Sequence, residues 1–171
     1  GGQGESGQCR EDIERGLIGT CAEEGFPGFA CEVIVGGETF REKNADGSFV
    51  RYLEHLRRVY LILLEEVGLI DFDTLMAALG HDAPEDTEMG LEEVTLVCGE
   101  TTSKTIALCS KTPKQNFIRR LHLMATWRVL MVKLADRIDN LRTMGDSLEF
   151  IDKTLEETRT EYFTLARLLV E

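Results

Sequence analysis

Proline is scarce in this chain, three in 171 residues, and so is any long apolar run. A membrane-spanning helix needs roughly 18 or more apolar residues in succession. No stretch approaches that, so no membrane association is expected. Paired cysteines are lacking too. The five cysteines (Cys9, Cys21, Cys31, Cys98 and Cys109) are odd in number, and none forms a C-x-x-C pair or lies near a histidine in sequence. They read as reduced thiols of a cytoplasmic protein, and a structural zinc site is not expected. Positive charge is the next shortage: 19 Lys and Arg against 31 Asp and Glu leave a net charge of −12. Binding to nucleic acid needs a basic face, so that partner class is excluded. A small phosphorylated substrate is not excluded, because a metal ion and a few local cations can hold one inside an acidic protein.

What the chain does have is helical periodicity. A hydrophobic share of 43% is ordinary for a globular protein, and the length suits one domain with a real core. The opening GGQGESGQ has no charged n-region or apolar h-region, so residues 1–10 read as a disordered tail and not as a signal peptide. Residues 11–171 read as the domain. Within it, 11–24 look weakly helical and 25–37 could be strand or buried helix. The polar stretch from 38 to 49, with its Asp-Gly, reads as a loop. From 50 onward the apolar spacing of Leu53, Leu56, Tyr60, Leu63, Leu64 and Val67 is helical, with Gly68 as a stop. Further helices are expected over DFDTLMAALGHD, TEMGLEEVTLVCG, TTSKTIALCSK, KQNFIRRLHLMAT, WRVLMVKLADRIDNLRTM and the closing SLEFIDKTLEETRTEYFTLARLLVE. The class is all-α.

The densest chemistry lies in HDAPEDT, residues 81–87, directly after the apolar LMAALG. In a continuous helix, His81 would share a face with Glu85, and Asp82 with Asp86. Pro84 lacks an N–H and disfavours helical geometry at Ala83, so the helix is expected to break here and leave His81 and Asp82 at its end. An adjacent imidazole and carboxylate at a break can aim at one point, which suits a metal with mixed N and O ligands. His55 on the preceding helix and Asp136 in KLADRIDNLRT can complete such a site, with Asp136 placed where the apolar helix leaves the core and Asn140 one turn on. The run Glu85, Asp86, Glu88 would otherwise be only an acidic helix start, and His122 reads as an ordinary surface or core histidine.

These motifs in combination resemble those of the HD-domain hydrolases of the RelA/SpoT-homologue family. HDAPEDT is similar to that family's HD-x-x-ED-T, and KLADRIDNLRT to its K-L-A-D-R-x-x-N-x-R-T. YLEH, CSK, QNFIRRLHLMATWRVLMVKLADR and ETRTEYFTLARLL resemble flanking segments of the same family, so the likeness runs from about residue 50 to the end. It is fainter over FACEVIVGGETFR.

The resemblance implies a single-domain, all-helical HD phosphohydrolase fold without the family's synthetase and regulatory domains, in the manner of its short members. It implies one divalent metal, Mn²⁺, held by His55, His81, Asp82 and Asp136. Glu85 and Asp86 match the pair that handles the attacking water. Asn140 and Thr143 match residues lining the nucleotide pocket, and Arg41 the arginine placed at the base. Lys43 lies one place from the family's lysine, and Lys111, Arg119 and Arg120 are candidate phosphate contacts. The implied reaction removes the 3′-pyrophosphate of the guanosine alarmones (p)ppGpp, giving GDP or GTP and pyrophosphate. The alternatives are an HD phosphohydrolase that releases phosphate from another nucleotide such as NADPH, or a non-catalytic nucleotide sensor. A homo-oligomer stays open. Two departures stand out. Asp139 occupies the position of the family's usual histidine, which would bring extra negative charge near the pocket, and the segment 41–54 is longer and lacks two prolines.

Overall fold

The structure is a computed structural model that describes residues 40–43, 49–86, 90–111 and 115–170, with backbone alone for 40–43, 49–53 and 86. The expected tail at 1–10 and the readings of 11–39 lie outside the described residues. All described residues fall in one compact unit spanning 38–171.

Helices make up this unit, as expected, with one addition. Strands β1 (Phe40–Lys43) and β2 (Phe49–Arg51) form an antiparallel hairpin. Phe40 pairs with Arg51, Glu42 with Val50 and Lys43 with Phe49, with a register irregularity around Arg41. This corrects the loop expected there and moves the helix start from 50 to Tyr52. The physical reason is legible afterwards: aromatic and β-branched residues flank an Asp-Gly, a pair that favours hairpins.

Helix α1 (Tyr52–Leu61) buries His55, Leu56, Val59 and Tyr60 on one face. It continues as a π-helical turn, Ile62–Glu66. The wider turn rotates the face that follows it. Ile62 and Leu63 therefore stay buried while Val67 is 51% exposed, against the simple apolar stripe read from the sequence. Gly68, at φ +74°, ends the segment in the left-handed conformation that glycine adopts without strain.

Helix α2 (Phe72–Gly80) starts at Asp71, whose carboxylate accepts the Thr74 N–H at 3.0 Å. Arg128 donates two further bonds to the same carboxylate at 2.9 and 3.0 Å, tying the start of α2 to the start of α7. Thr74, Leu75, Met76, Ala77 and Ala78 are all buried, so α2 is surrounded. Short α3 (Ala83–Asp86) follows after a turn. Then come α4 (Leu91–Cys98), α5 (Glu100–Cys109), α6 (Phe117–Met124), α7 (Trp127–Arg142) and α8 (Leu148–Glu157). A second π-helical turn, Thr158–Tyr162, leads into α9 (Phe163–Arg167).

Helix α7 packs against α1, α2 and α5. Val129, Leu130 and Val132 of α7 join Leu56, Val59, Met76 and Ile106 in the core, each stabilising the fold by about 1.5–3 kcal/mol. Cys98 and Cys109 are buried free thiols. Burial pushes the Cys109 thiol up to about 12, so it stays protonated and inert. Among the described residues no helix is long and apolar enough to cross a membrane.

Candidate metal centre

The break expected at Pro84 is present and it builds the site. Helix α2 closes at Gly80, His81 caps it, and residues 81–82 form the turn before α3. Pro84 has no N–H to continue the helical ladder; the Glu85 N–H donates instead to the Asp82 carbonyl at 2.9 Å. His81 and Asp82 are thereby held inside the molecule, at 0% and 3% exposure. The facing helices supply the rest, His55 from α1 and Asp136 from α7, at 6% and 3% exposure. Asp136 sits within the buried cluster, not at the core edge expected from the sequence.

The four side chains converge. His55 Nε2 is 3.3 Å from Asp136 Oδ1 and 3.7 Å from Asp82 Oδ2. His81 Nε2 is 3.3 Å from Asp82 Oδ1 and 3.8 Å from Asp136 Oδ1. Both imidazoles are locked from behind. His81 Nδ1 lies 2.8 Å from the Ala78 carbonyl, and His55 Nδ1 lies 2.7 Å from Asp139 Oδ2. Neither oxygen can donate, so each Nδ1 carries a proton and each Nε2 faces the centre. Both Nε2 atoms are buried without a hydrogen-bond partner among the described residues.

Two aimed, unsatisfied imidazole nitrogens beside two carboxylates are what a divalent cation requires. Ligand atoms about 2.0–2.2 Å from one ion stand about 3–3.5 Å apart. The observed separations of 3.3–3.8 Å are that spacing slightly relaxed. His55, His81 and Asp82 offer three ligand atoms that all lie within 4.8 Å of one another; Asp136 joins them through its contacts with the two imidazoles.

The sequence reading missed the residue beneath the site. Lys133 is fully buried, and its Nζ donates to Asp136 Oδ2 at 2.6 Å while the Asn140 amide donates to Asp136 Oδ1 at 2.7 Å. Burial pushes the Asp136 carboxyl up, but the Lys133 ammonium and both imidazoles outweigh it and hold the group well below the usual carboxylate range. Burial likewise pulls the Lys133 ammonium down, and the Asp136 and Asp82 carboxylates outweigh that. The sequence signal was available: Lys133 and Asp136 are three apart on one helical face.

His55 is similarly balanced. Burial lowers its pKa, but the carboxylates of Asp136, Asp139 and Asp82 push it up from 6.5 to about 9. A raised pKa stabilises the metal-free fold most below about 6.5, and that contribution is lost as pH rises through about 9. At neutral pH the metal-free His55 therefore carries a proton that an incoming cation must displace. Metal affinity is expected to tighten about tenfold per pH unit as pH rises toward 9, with about one proton released per ion. Calorimetry in buffers of different ionisation heat checks this, and an affinity flat with pH would contradict it.

The remaining candidates separate into groups. Glu85 is exposed, and its carboxylate accepts the Lys111 backbone N–H, which ties α3 to the segment after α5. Asn140 and Lys111 also line a cavity of about 670 Å³ whose walls include Phe117, Phe150, Lys153 and Tyr162. Thr143 is not among the lining residues; it is exposed at the end of α7 and its hydroxyl donates to the Asp139 carbonyl. Arg119 is exposed, Arg120 donates to the Ser110 carbonyl, and His122 is exposed as the plain reading held. Asp86, Arg41 and Lys43 are placed by backbone only, and their side chains lie outside the described set.

The sequence profile of the HD domain family matches residues 37–169. The chain belongs to the HD domain family. The guanosine-3′,5′-bis(diphosphate) 3′-pyrophosphohydrolase of Drosophila melanogaster is 28% identical over 137 residues, covering 77% of this chain and 75% of that protein. The enzyme of the same name from Aquifex aeolicus is 31% identical, covering 93% of this chain but 24% of its own length. A solved structure of a metazoan orthologue of SpoT, described as hydrolysing ppGpp, superposes with a TM-score of 0.59 at 26% identity, covering 90% of this chain and 83% of that one. The chain thus spans most of the fly relative and about a quarter of the Aquifex one. As an HD domain, the protein is a helical hydrolase-type fold whose His/Asp cluster suits a divalent metal.

Proposed function

We propose that the protein hydrolyses the 3′-pyrophosphate of the guanosine alarmones (p)ppGpp, with one Mn²⁺ held by His55, His81, Asp82 and Asp136, in the cytoplasm. The observation that carries the reading is the pair of buried, tautomer-locked Nε2 atoms facing two carboxylates. The fold and two relatives bearing that activity in their names support the choice of substrate.

When bound, the cation supplies Lewis-acid charge that acidifies water and stabilises phosphoryl oxygens. The chain's own groups do the rest. Glu85, exposed on α3, accepts the proton of the attacking water, with Asp86 beside it in sequence. The water oxygen attacks the phosphorus joined to ribose O3′, the P–O3′ bond breaks, and pyrophosphate leaves carrying the new oxygen. O3′ takes up the proton that Glu85 received. The 670 Å³ cavity beside Asn140 is of the size that takes a nucleotide. Its Lys111 and Lys153 offer positive charge to the phosphates, and Phe150 an apolar surface to the base. This reaction depends mainly on positioning and charge stabilisation.

Glu85→Gln is expected to lower kcat by about 10²–10⁴-fold while metal affinity stays within a few-fold, because Glu85 is not among the four proposed ligands. Steady-state kinetics beside metal calorimetry check this. An equal loss in both would reassign Glu85 to the metal.

The test of the substrate is product analysis by ion exchange after incubation with ppGpp or NADPH, each with Mn²⁺ or chelator. Mn²⁺-dependent GDP and pyrophosphate from ppGpp is the expected result. Orthophosphate from NADPH with ppGpp untouched would replace the substrate, and no turnover of either would favour the sensor.

A further inference from the structure

Asp139 stands where the family resemblance places a histidine. The extra negative charge expected from the sequence is not free: Asp139 is 1% exposed and both its carboxylate oxygens have partners. Its Oδ2 accepts from His55 Nδ1 at 2.7 Å. Arg58 grips the same carboxylate as a fork, Nε to Oδ1 at 2.7 Å and Nη2 to Oδ2 at 3.1 Å. The contacts form a lattice between two helices. His55 and Arg58 are three apart on α1, and Asp136 and Asp139 are three apart on α7, so each pair shares a face. His55 is held at both ends, by Asp139 at Nδ1 and by Asp136 near Nε2.

We propose that Asp139 is a positioning residue for the metal centre: clamped by Arg58, it fixes the tautomer and orientation of His55 and so sets how tightly the site takes a divalent cation. The inference rests on the metal-centre reading above. A carboxylate behind an imidazole makes the forward nitrogen a better electron donor and prevents ring rotation. An unheld aspartate on α7 could turn elsewhere; the Arg58 fork, two N–H groups in one plane, leaves it one orientation. Arg58 is itself 34% exposed at the side chain while Asp139 is 1% exposed.

The experiment is calorimetric titration of the full chain with Mn²⁺ alone, for wild type, Asp139→Ala and the near-isosteric Asp139→Asn. Thermal melts of the chelated proteins and ¹⁵N shifts of His55 accompany it. The Asn variant keeps the test open should the Ala variant fail to fold. The expected result is one site in the wild type and a roughly 10–100-fold weaker one in the variants. Recorded on the chelated protein above pH 9, where His55 has lost its second proton, the His55 nitrogen shifts should move from a single Nδ1–H tautomer toward a mixture. A lower melting temperature with unchanged Mn²⁺ affinity and unchanged tautomer would make Asp139 a structural clamp only and overturn the proposal. Failure of the wild type itself to bind Mn²⁺ would instead overturn the metal-centre reading on which it rests.

Discussion

Replacing Asp82 by alanine is expected to abolish tight metal binding and slow hydrolysis by on the order of 10³-fold or more. Asp82 touches both imidazoles: its two oxygens lie 3.3 and 3.7 Å from the Nε2 atoms of His81 and His55. Without it, two imidazoles and one carboxylate remain as ligands, and Lys133 already draws on that carboxylate. The remaining set has too little negative charge for a hard divalent cation. The fold should survive, because Asp82 sits in a turn and the apolar packing of α2 around Met76 and Ala77 does not depend on it. Circular dichroism and a melt establish that, and metal titration with a rate assay reads the effect. Hydrolysis as fast as wild type in a folded, metal-free Asp82→Ala protein would remove the metal from the account.

The largest stability effect is expected at Lys133. Lys133→Met keeps an unbranched chain in the same space but leaves Asp136 Oδ2 without its 2.6 Å partner inside the core. Removing one member of a buried ion pair costs about 3–5 kcal/mol, because the other charge stays desolvated. Asn140 and the two imidazoles still face Asp136 Oδ1 and temper the loss. The measurement is urea unfolding of both proteins in chelator and in excess Mn²⁺. The loss should be largest in chelator and smaller with metal, since a cation bound to Asp136 partly replaces the ammonium and stabilises the folded state by mass action. A loss below about 1 kcal/mol in chelator would show that Asp136 does not rely on Lys133.

Much of the site was legible because its chemistry is local. HDAPEDT joins an imidazole, three acids and a helix-breaking proline in six residues, and the break at Pro84 places His81 and Asp82 as the motif suggested. The long helix over 127–142 follows from spacing alone. What the sequence hid depends on distant partners or on irregular turns. The role of Asp139 needs α1 beside α7, residues 84 positions apart in the case of His55. The π-helical turns at Ile62–Glu66 and Thr158–Tyr162 shift the buried face without any proline or glycine to announce them. The hairpin strands are too short, at four and three residues, to show a period of two. Lys133 was overlooked because a lysine inside an apolar run is more often solvated at its tip.

The most direct test of the central claim is anomalous diffraction from crystals grown with Mn²⁺, collected at the manganese edge. The account predicts one strong peak about 2.0–2.3 Å from the Nε2 atoms of His55 and His81 and from carboxylate oxygens of Asp82 and Asp136, with Lys133 and Asp139 outside that shell. A crystal with no peak among these four residues, or with the manganese held elsewhere on the chain, would contradict it.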